Sequence, residues 1–140
     1  MRIISHRGNL NGINPELENN PEHILRICEE HEVEVDAWYI DDEWFLGHDE
    51  PLYSIDETFF NNQMWIHCKN LAACSKLQQS DLNWFWHESD KITITSKGFI
   101  WCYPQIYVAN GITVEYNYND SLPSSILGVC TDYVDKYKNK

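Results

Sequence analysis

Short apolar runs separated by polar breaks recur along the whole chain and predict an order of strands and helices. One helix is predicted from Pro21, behind the capping residue Asn20, to about His31, and a second from 71 to about 79. Strands are predicted at 2–5, 33–38, 43–46, 64–68, 83–87, 92–95, 99–103, 112–115 and 127–132.

The alternation of strands and helices in the first half of the chain favours parallel βαβ units. In the second half, the gaps between strands are too short for crossover helices, which need about a dozen residues or more. A full (β/α)8 barrel usually needs ~200 residues or more, so a chain of 140 residues could form one only with several helices reduced to loops. No linker interrupts the pattern, and residues 1–135 are predicted to form one domain, followed by a frayed basic tail at 136–140.

The composition predicts a folded cytoplasmic protein. Six Trp and eight Tyr speak against disorder, and no apolar run approaches the ~18 residues of a membrane span. The first residues lead straight into a strand, which argues against a signal peptide. Five cysteines without a CxxC pair are expected to be reduced. The net charge of −12 argues against nucleic acid and anionic membranes as partners, although a metal ion would let an acidic protein bind one phosphate.

Acidic residues alternate with apolar ones in the second predicted strand. Side chains in a strand point to opposite faces in turn, so Glu32, Glu34 and Asp36 share one face. On an edge strand this face would meet water. In a barrel or a covered sheet it would be interior, and carboxylates there need a cation or strong donors because buried unpaired charge is costly. The interior alternative predicts a divalent ion with oxygen ligands, Mg²⁺ or Ca²⁺ before zinc.

Two histidines are placed close to these carboxylates. His6 ends the first strand and would lie beside the second strand in a parallel sheet. If residues 41 and 42 form a two-residue hairpin loop, His48 falls opposite Val35 and therefore beside Glu34 and Asp36. Two histidines flanking a metal-bound phosphate could serve as general base and general acid, because histidine ordinarily titrates near neutrality. The alternative is that each is a structural or surface residue.

Two basic residues are candidates for phosphate binding. Arg7 could hold a phosphate by two parallel hydrogen bonds, or it could pair with a buried carboxylate such as Glu18. Lys69 follows the strand at 64–68 and could reach phosphate oxygens as charge builds in a transition state. Either residue could equally form an ordinary salt bridge.

Together these residues resemble the glycerophosphodiester phosphodiesterase family, within the wider group that includes phosphatidylinositol-specific phospholipase C. The resemblance is strong over residues 2–51, thin through 64–69 and faint elsewhere, with a softer match at 128–132. It implies a metal-dependent phosphodiester hydrolase on a shortened (β/α)8 TIM-type barrel, acting on a glycerophosphodiester-like small molecule. The motifs that carry it are His6-Arg7-Gly8, Glu18-Asn19-Asn20-Pro21, Glu34-Val35-Asp36 and His48-Asp49.

The resemblance also implies the roles of these residues. Glu34 and Asp36 would hold the metal, Mg²⁺ or Ca²⁺, while His6 and His48 would act as acid and base at the carboxyl mouth of the barrel. The family usually has a glutamate two residues before Lys69, as a third metal ligand, and this chain has His67 there. His67 could ligate a softer metal, Glu88 could replace it from the next strand, or the metal could be bound weakly.

These alternatives leave three functions open. The chain could be the hydrolase, a binding module that keeps a phosphate site without turnover, or a lyase of the sphingomyelinase D kind that leaves a cyclic phosphate. A homo-oligomer is a further possibility, because barrel flanks without helices would need to be covered.

Overall fold

The computed structural model describes residues 1–139, which form mostly strands with three short helices. The helices are α1 (Pro21–Ile27), α2 (Leu71–Leu77) and α3 (Val134–Lys138), and a 3-10 turn lies at Glu57–Phe59. The strands are β1 (Arg2–His6), β2 (Glu32–Ile40), β3 (Glu43–Leu46), β4 (Tyr53–Ile55), β5 (Met64–Cys68), β6 (Asn83–Trp86), β7 (Ile92–Ile94), β8 (Ile100–Cys102), β9 (Gly111–Glu115) and β10 (Gly128–Thr131).

All ten strands belong to one mixed sheet whose centre is parallel. Its parallel part has the order β6-β5-β2-β1-β10-β9-β8, and β7 pairs antiparallel with β8. The long strand β2 extends beyond β1, so its far end pairs with the antiparallel hairpin partner β3, which in turn pairs with β4. The sheet curls so that its two ends approach each other. The Ser96 amide, in the segment after β7, donates to the Trp84 carbonyl of β6 at 2.7 Å.

The predicted shortened (β/α)8 TIM-type barrel is wrong. Only β1–β2 and β5–β6 are joined through a helix, while β2 and β5 are joined through a hairpin and a 3-10 turn. The later connections, at 87–91, 95–99 and 103–110, contain no helix. The architecture is therefore a curled mixed sheet of ten strands rather than alternating strands and helices.

The individual strand predictions are confirmed to within one or two residues at their ends. The sequence did not indicate β4 or α3, and α1 ends at Ile27 rather than near His31. In the segment predicted to fray, residues 136–138 belong to α3 and the Tyr137 side chain is buried. Lys140 lies outside the described residues.

Two apolar clusters lie on opposite faces of the sheet. The outer cluster packs α1 and α2 against the Val33, Val35 and Ala37 face of β2. The inner cluster fills the concave side and is formed by Ile4, Trp65, Phe85, Trp101, Ile112, Val114 and Cys130.

The amino end of the concave side is closed by an ion pair over an aromatic ring. Arg2 donates to both carboxylate oxygens of Glu32 at 3.0 Å, and Trp65 Nε1 donates to Glu32 Oε2 at 2.6 Å. Glu32, the first of the three acidic residues on β2, therefore neutralises Arg2 far from the carboxyl edge. At the opposite, carboxyl end, the polar groups pack against the inner apolar cluster, which is close-packed and therefore rigid.

Candidate metal centre and adjoining cavity

The carboxyl ends of four parallel strands bring polar side chains to one edge of the sheet. His6 lies opposite Glu34 in the β1–β2 register, and Asp36 lies opposite His67 in the β2–β5 register. Asp132 directly follows β10, the other neighbour of β1. These side chains adjoin a cavity of about 160 Å³, much more than the ~10–15 Å³ that a single water needs. Its polar lining includes His6, Arg7, Glu34, His48, His67 and Lys69.

Glu34 and Asp36 are buried, with side chains only 3% and 1% exposed. Strand β2 is covered on both edges, so the alternative in which this acidic face meets water is wrong. Burial raises the pKa of Glu34 well above its usual range, and the nearby Asp36 charge raises it further. Burial alone would also raise the pKa of Asp36, but contacts with His67 and Arg7 hold it well below its usual range. Asp36 is therefore the permanent anion of the pair.

The Asp36 carboxylate is fixed by an asparagine that the sequence did not single out. Asn19 Nδ2 donates to Asp36 Oδ2 at 2.9 Å, and the Asp36 amide donates to Asn19 Oδ1 at 3.0 Å. Asn19 is buried and has a φ of +56°, a left-handed conformation that asparagine tolerates better than most residues. The only signal in the sequence was its place inside the Glu18-Asn19-Asn20-Pro21 motif.

His67 completes a group of three possible metal ligands with Glu34 and Asp36, whose ligand atoms all lie within 4.8 Å of one another. His67 Nδ1 lies 3.2 Å from Asp36 Oδ1 and 3.8 Å from Glu34 Oε1. Glu88, the other candidate for a third ligand, lines the cavity but is exposed and does not belong to this group. Among the described residues, the geometry favours His67.

Each carboxylate of the acidic pair has one oxygen without a hydrogen bond. Glu34 Oε2 and Asp36 Oδ1 are buried and lack any hydrogen-bond partner, although buried polar atoms are nearly always paired. Lys69 Nζ is 3.9 Å from Asp36 Oδ1, too far for a hydrogen bond. A divalent cation fits these residues, because it would take up the free lone pairs of both carboxylates.

His6 is oriented by Asp132. His6 Nδ1 lies 2.9 Å from Asp132 Oδ1, which also accepts a hydrogen bond from Asn9 Nδ2 at 2.8 Å. The second ring nitrogen of His6 lies 4.0 Å from Glu34 Oε2. Because an ionised carboxylate only accepts hydrogen bonds, the neutral ring keeps its hydrogen on Nδ1 and directs an unprotonated Nε2 into the cavity. The sequence did not single out Asp132, beyond the soft match at 128–132.

His48 lies on the other side of the cavity, just beyond the end of β3. The predicted hairpin register is confirmed, since Leu46 pairs with Ala37 and the Gly47 amide donates to the Asp36 carbonyl. The His48 side chain is 38% exposed and its Nδ1 lies 2.8 Å from Asp49 Oδ1. Partial burial lowers the pKa of His48, and the positive charge of Arg7 adds to that shift. Neutral imidazole is therefore its resting form at pH 7.

Gly47 sets the position of His48 and gives a first prediction. Its φ is +154°, and a Cβ there would overlap the carbonyl oxygen of Glu50. We expect Gly47→Ala to lower the free energy of unfolding by about 2 kcal/mol or more, because the backbone before His48 must shift. Urea unfolding measures the loss, and Gly98→Ala is a matched control.

Gly98 also has a positive φ, +83°, but a Cβ there meets nothing within 4 Å. Its replacement should cost only the backbone strain, about 1 kcal/mol. Equal losses for the two variants would contradict the steric role of Gly47.

Arg7 and Lys69 both line the cavity and both approach Asp36. Arg7 Nη1 donates to Glu18 Oε2 at 3.4 Å, while its Nε is 3.4 Å from Asp36 Oδ2 and has no hydrogen-bond partner. Burial alone would lower the pKa of Arg7, but the charges of Asp36 and Glu34 raise it. Arg7 thus pairs with Glu18, as one alternative predicted, and its buried Nε lies against Asp36 without a hydrogen bond.

An aromatic wall faces these charges. His67 stacks on Phe85 with ring centroids 4.9 Å apart, and Phe85 stacks on Trp101 at 4.6 Å. Tyr103 and Tyr116 also line the cavity, and the Tyr116 ring lies 5.7 Å from that of His6. The apolar wall lowers the local dielectric and so strengthens every charge interaction in the cavity.

In comparisons with known proteins, no family model, no curated protein and no solved structure matches this chain significantly. The resemblance to glycerophosphodiester phosphodiesterases therefore stays a prediction from the four motifs. No helix within residues 1–139 is long and apolar enough to cross a membrane.

Proposed function

We propose that this protein is a metal-dependent phosphodiesterase that acts on a small glycerophosphodiester-like substrate. One observation supports it above all. Two adjacent buried carboxylates, Glu34 and Asp36, each have an oxygen without a hydrogen bond, and Glu34 lines the same cavity as His6, whose tautomer is fixed by Asp132. A purely structural cluster has no need for free carboxylate oxygens, because each one costs free energy when it is buried and unpaired.

Glu34 and Asp36 would hold the divalent cation; taken alone, these two oxygen ligands suit Mg²⁺ or Ca²⁺. The ion would supply positive charge against the phosphoryl oxygens. Arg7 and Lys69, which both line the cavity, would bind the remaining oxygens through their positive charges. Negative charge that develops on phosphorus is then surrounded by donors that need no reorganisation.

His6 and His48 divide the proton transfers. His6 Nε2 takes the proton of the attacking hydroxyl, which belongs either to water or to the substrate's own alcohol, and Asp132 stabilises the resulting imidazolium. His48 gives a proton to the leaving alcohol. Its lowered pKa makes the protonated ring a stronger acid than an ordinary imidazolium, and the negative charge of a bound phosphodiester favours that protonated form.

The test is a turnover assay on the purified protein. We expect hydrolysis of glycerophosphodiesters with added Mg²⁺, Ca²⁺ or Mn²⁺, and none with EDTA. Phosphorus NMR of the products separates hydrolysis from cyclisation: a phosphomonoester indicates water attack, and an accumulating cyclic diester indicates a lyase. A folded protein that binds a phosphodiester but turns over none with any metal would contradict the proposal and favour the binding module.

A further inference from the structure

The group of three ligands contains a nitrogen whose direction the fold determines. His67 Nε2 lies 3.0 Å from the carbonyl oxygen of His87. A carbonyl oxygen only accepts hydrogen bonds, so Nε2 carries the hydrogen of this contact. In the neutral ring, Nδ1 then presents a lone pair towards Asp36 Oδ1, 3.2 Å away.

The ring cannot easily turn away from this orientation. Its face stacks on Phe85 with an interplanar angle of 13°, and Phe85 is itself buried against Trp101. Rotation of the ring would break the contact with the His87 carbonyl and the stacking together. The packing and the hydrogen bond therefore fix the His67 ring in one orientation, with Nδ1 directed towards Asp36.

A lone pair on Nδ1 facing a carboxylate oxygen at this distance is repulsive, so either a proton or a metal ion must lie between the two atoms; a proton on His67 would be what lowers the pKa of Asp36 in the metal-free protein. His67 Nδ1 is within hydrogen-bond distance of Asp36 Oδ1, but the contact does not have hydrogen-bond geometry, and Asp36 Oδ1 has no hydrogen-bond partner. His67 Nδ1 and Asp36 Oδ1, which are 3.2 Å apart, could both bind one metal ion at the ~2.0–2.2 Å that is typical of nitrogen and oxygen ligands. Glu34 Oε1, 3.8 Å from the same nitrogen, would supply the third ligand atom.

We propose that His67 Nδ1 is a metal ligand and that it shifts the preference of the centre towards Zn²⁺ and other first-row ions that accept nitrogen ligands, and away from Mg²⁺ and Ca²⁺. The inference rests on the proposed function for its cation, and it deepens that function by naming the ion class. Mg²⁺ and Ca²⁺ prefer all-oxygen sites, whereas imidazole suits zinc and its neighbours.

The first test compares affinities in the wild type and in His67→Glu. Most sites bind Zn²⁺ more tightly than Mg²⁺, so the informative quantity is the ratio of the two affinities in each protein. Isothermal titration of the metal-free protein should show this ratio fall by roughly 10–100-fold in His67→Glu, because an oxygen replaces the nitrogen. His31→Glu makes the same change outside the cavity and should keep the wild-type ratio.

The second test observes the nitrogen directly, first in the wild type and then in a variant that assigns it. Pulsed electron paramagnetic resonance of Mn²⁺ bound to the wild type should show coupling to an imidazole ¹⁴N nucleus. His67→Gln should abolish this coupling. A bound Mn²⁺ without nitrogen coupling, an unchanged affinity ratio in His67→Glu, or a folded wild type that binds none of these ions would each overturn the inference.

The two proposals fail differently. A protein that shows the nitrogen coupling but turns over no phosphodiester contradicts the proposed function and keeps His67 as a ligand. A protein that hydrolyses phosphodiesters with Mg²⁺ and shows no nitrogen coupling keeps the proposed function and removes His67 from the centre.

Discussion

His6→Asn is expected to lower the turnover of a phosphodiester by about 10²–10⁴-fold, the usual contribution of a general base. Asparagine keeps a polar side chain of similar reach beside Asp132, but it has no basic nitrogen to take the proton from the attacking hydroxyl. The loss should fall on kcat rather than on KM, because Arg7 and Lys69, the residues proposed to bind the phosphate, are unchanged. Steady-state kinetics on a glycerophosphodiester measures both quantities.

The matched control is His31→Asn, since His31 is partly exposed, lies in the connection between α1 and β2, and does not line the cavity. It should retain wild-type kcat. If His6→Asn retained more than about a tenth of the wild-type kcat, proton transfer by His6 would be excluded as a major contribution.

Asp132→Asn tests the same histidine through its tautomer. An asparagine at 132 can donate its amide to His6 Nδ1, which would move the ring hydrogen to Nε2 and remove the base from the cavity. We expect a fall in kcat comparable to that of His6→Asn. Nitrogen NMR of the imidazole reports the tautomer independently of turnover, and an unchanged tautomer with a lowered kcat would contradict this explanation.

The sequence predicted the local part of the fold well and the long-range part badly. The β2–β3 register followed from residues 41 and 42 alone, because a two-residue hairpin loop fixes which residues pair. The barrel prediction failed because the resemblance is strong only over residues 2–51. It carried an architecture over to the later strands, although the short gaps between them leave no room for crossover helices.

The candidate site shows the same division. His6, Glu34, Asp36 and His48 were found because each belongs to a short motif and because strand alternation puts both carboxylates on one face. Asp132 was missed because its partner His6 is 126 residues away along the chain. No local pattern distinguishes a carboxylate that orients a histidine from an ordinary one at the end of a strand.

Metal binding and folding stability make opposite demands on Glu34. Without a cation, a buried Glu34 resists ionisation, so the folded protein keeps this proton to a higher pH than the unfolded chain does. The folded state then binds more protons than the unfolded state, and stability falls as pH rises above the ~4.3 of an unperturbed glutamate, up to the raised folded pKa. A bound cation removes this conflict by stabilising the ionised carboxylate.

Glu34→Gln is therefore expected to change stability in opposite directions with and without metal. In EDTA, the free energy of unfolding of the wild type should fall with rising pH by up to ~1.4 kcal/mol per pH unit. The variant should not show this fall, because glutamine does not ionise. In saturating metal, the wild type should gain about 2.7 kcal/mol at a hundredfold excess over Kd, and the variant should gain much less because it lacks one anionic ligand.

Urea unfolding at pH 5, 6, 7 and 8, with EDTA and with metal, measures both effects, and Glu43→Gln makes the same change at an exposed site on β3. The control should follow the wild type under all conditions. Parallel pH dependences for the wild type and Glu34→Gln in EDTA would mean that Glu34 ionises without a cation. In that case its charge would be satisfied by Arg7 and Lys69, and the buried acidic pair would no longer require a metal ion.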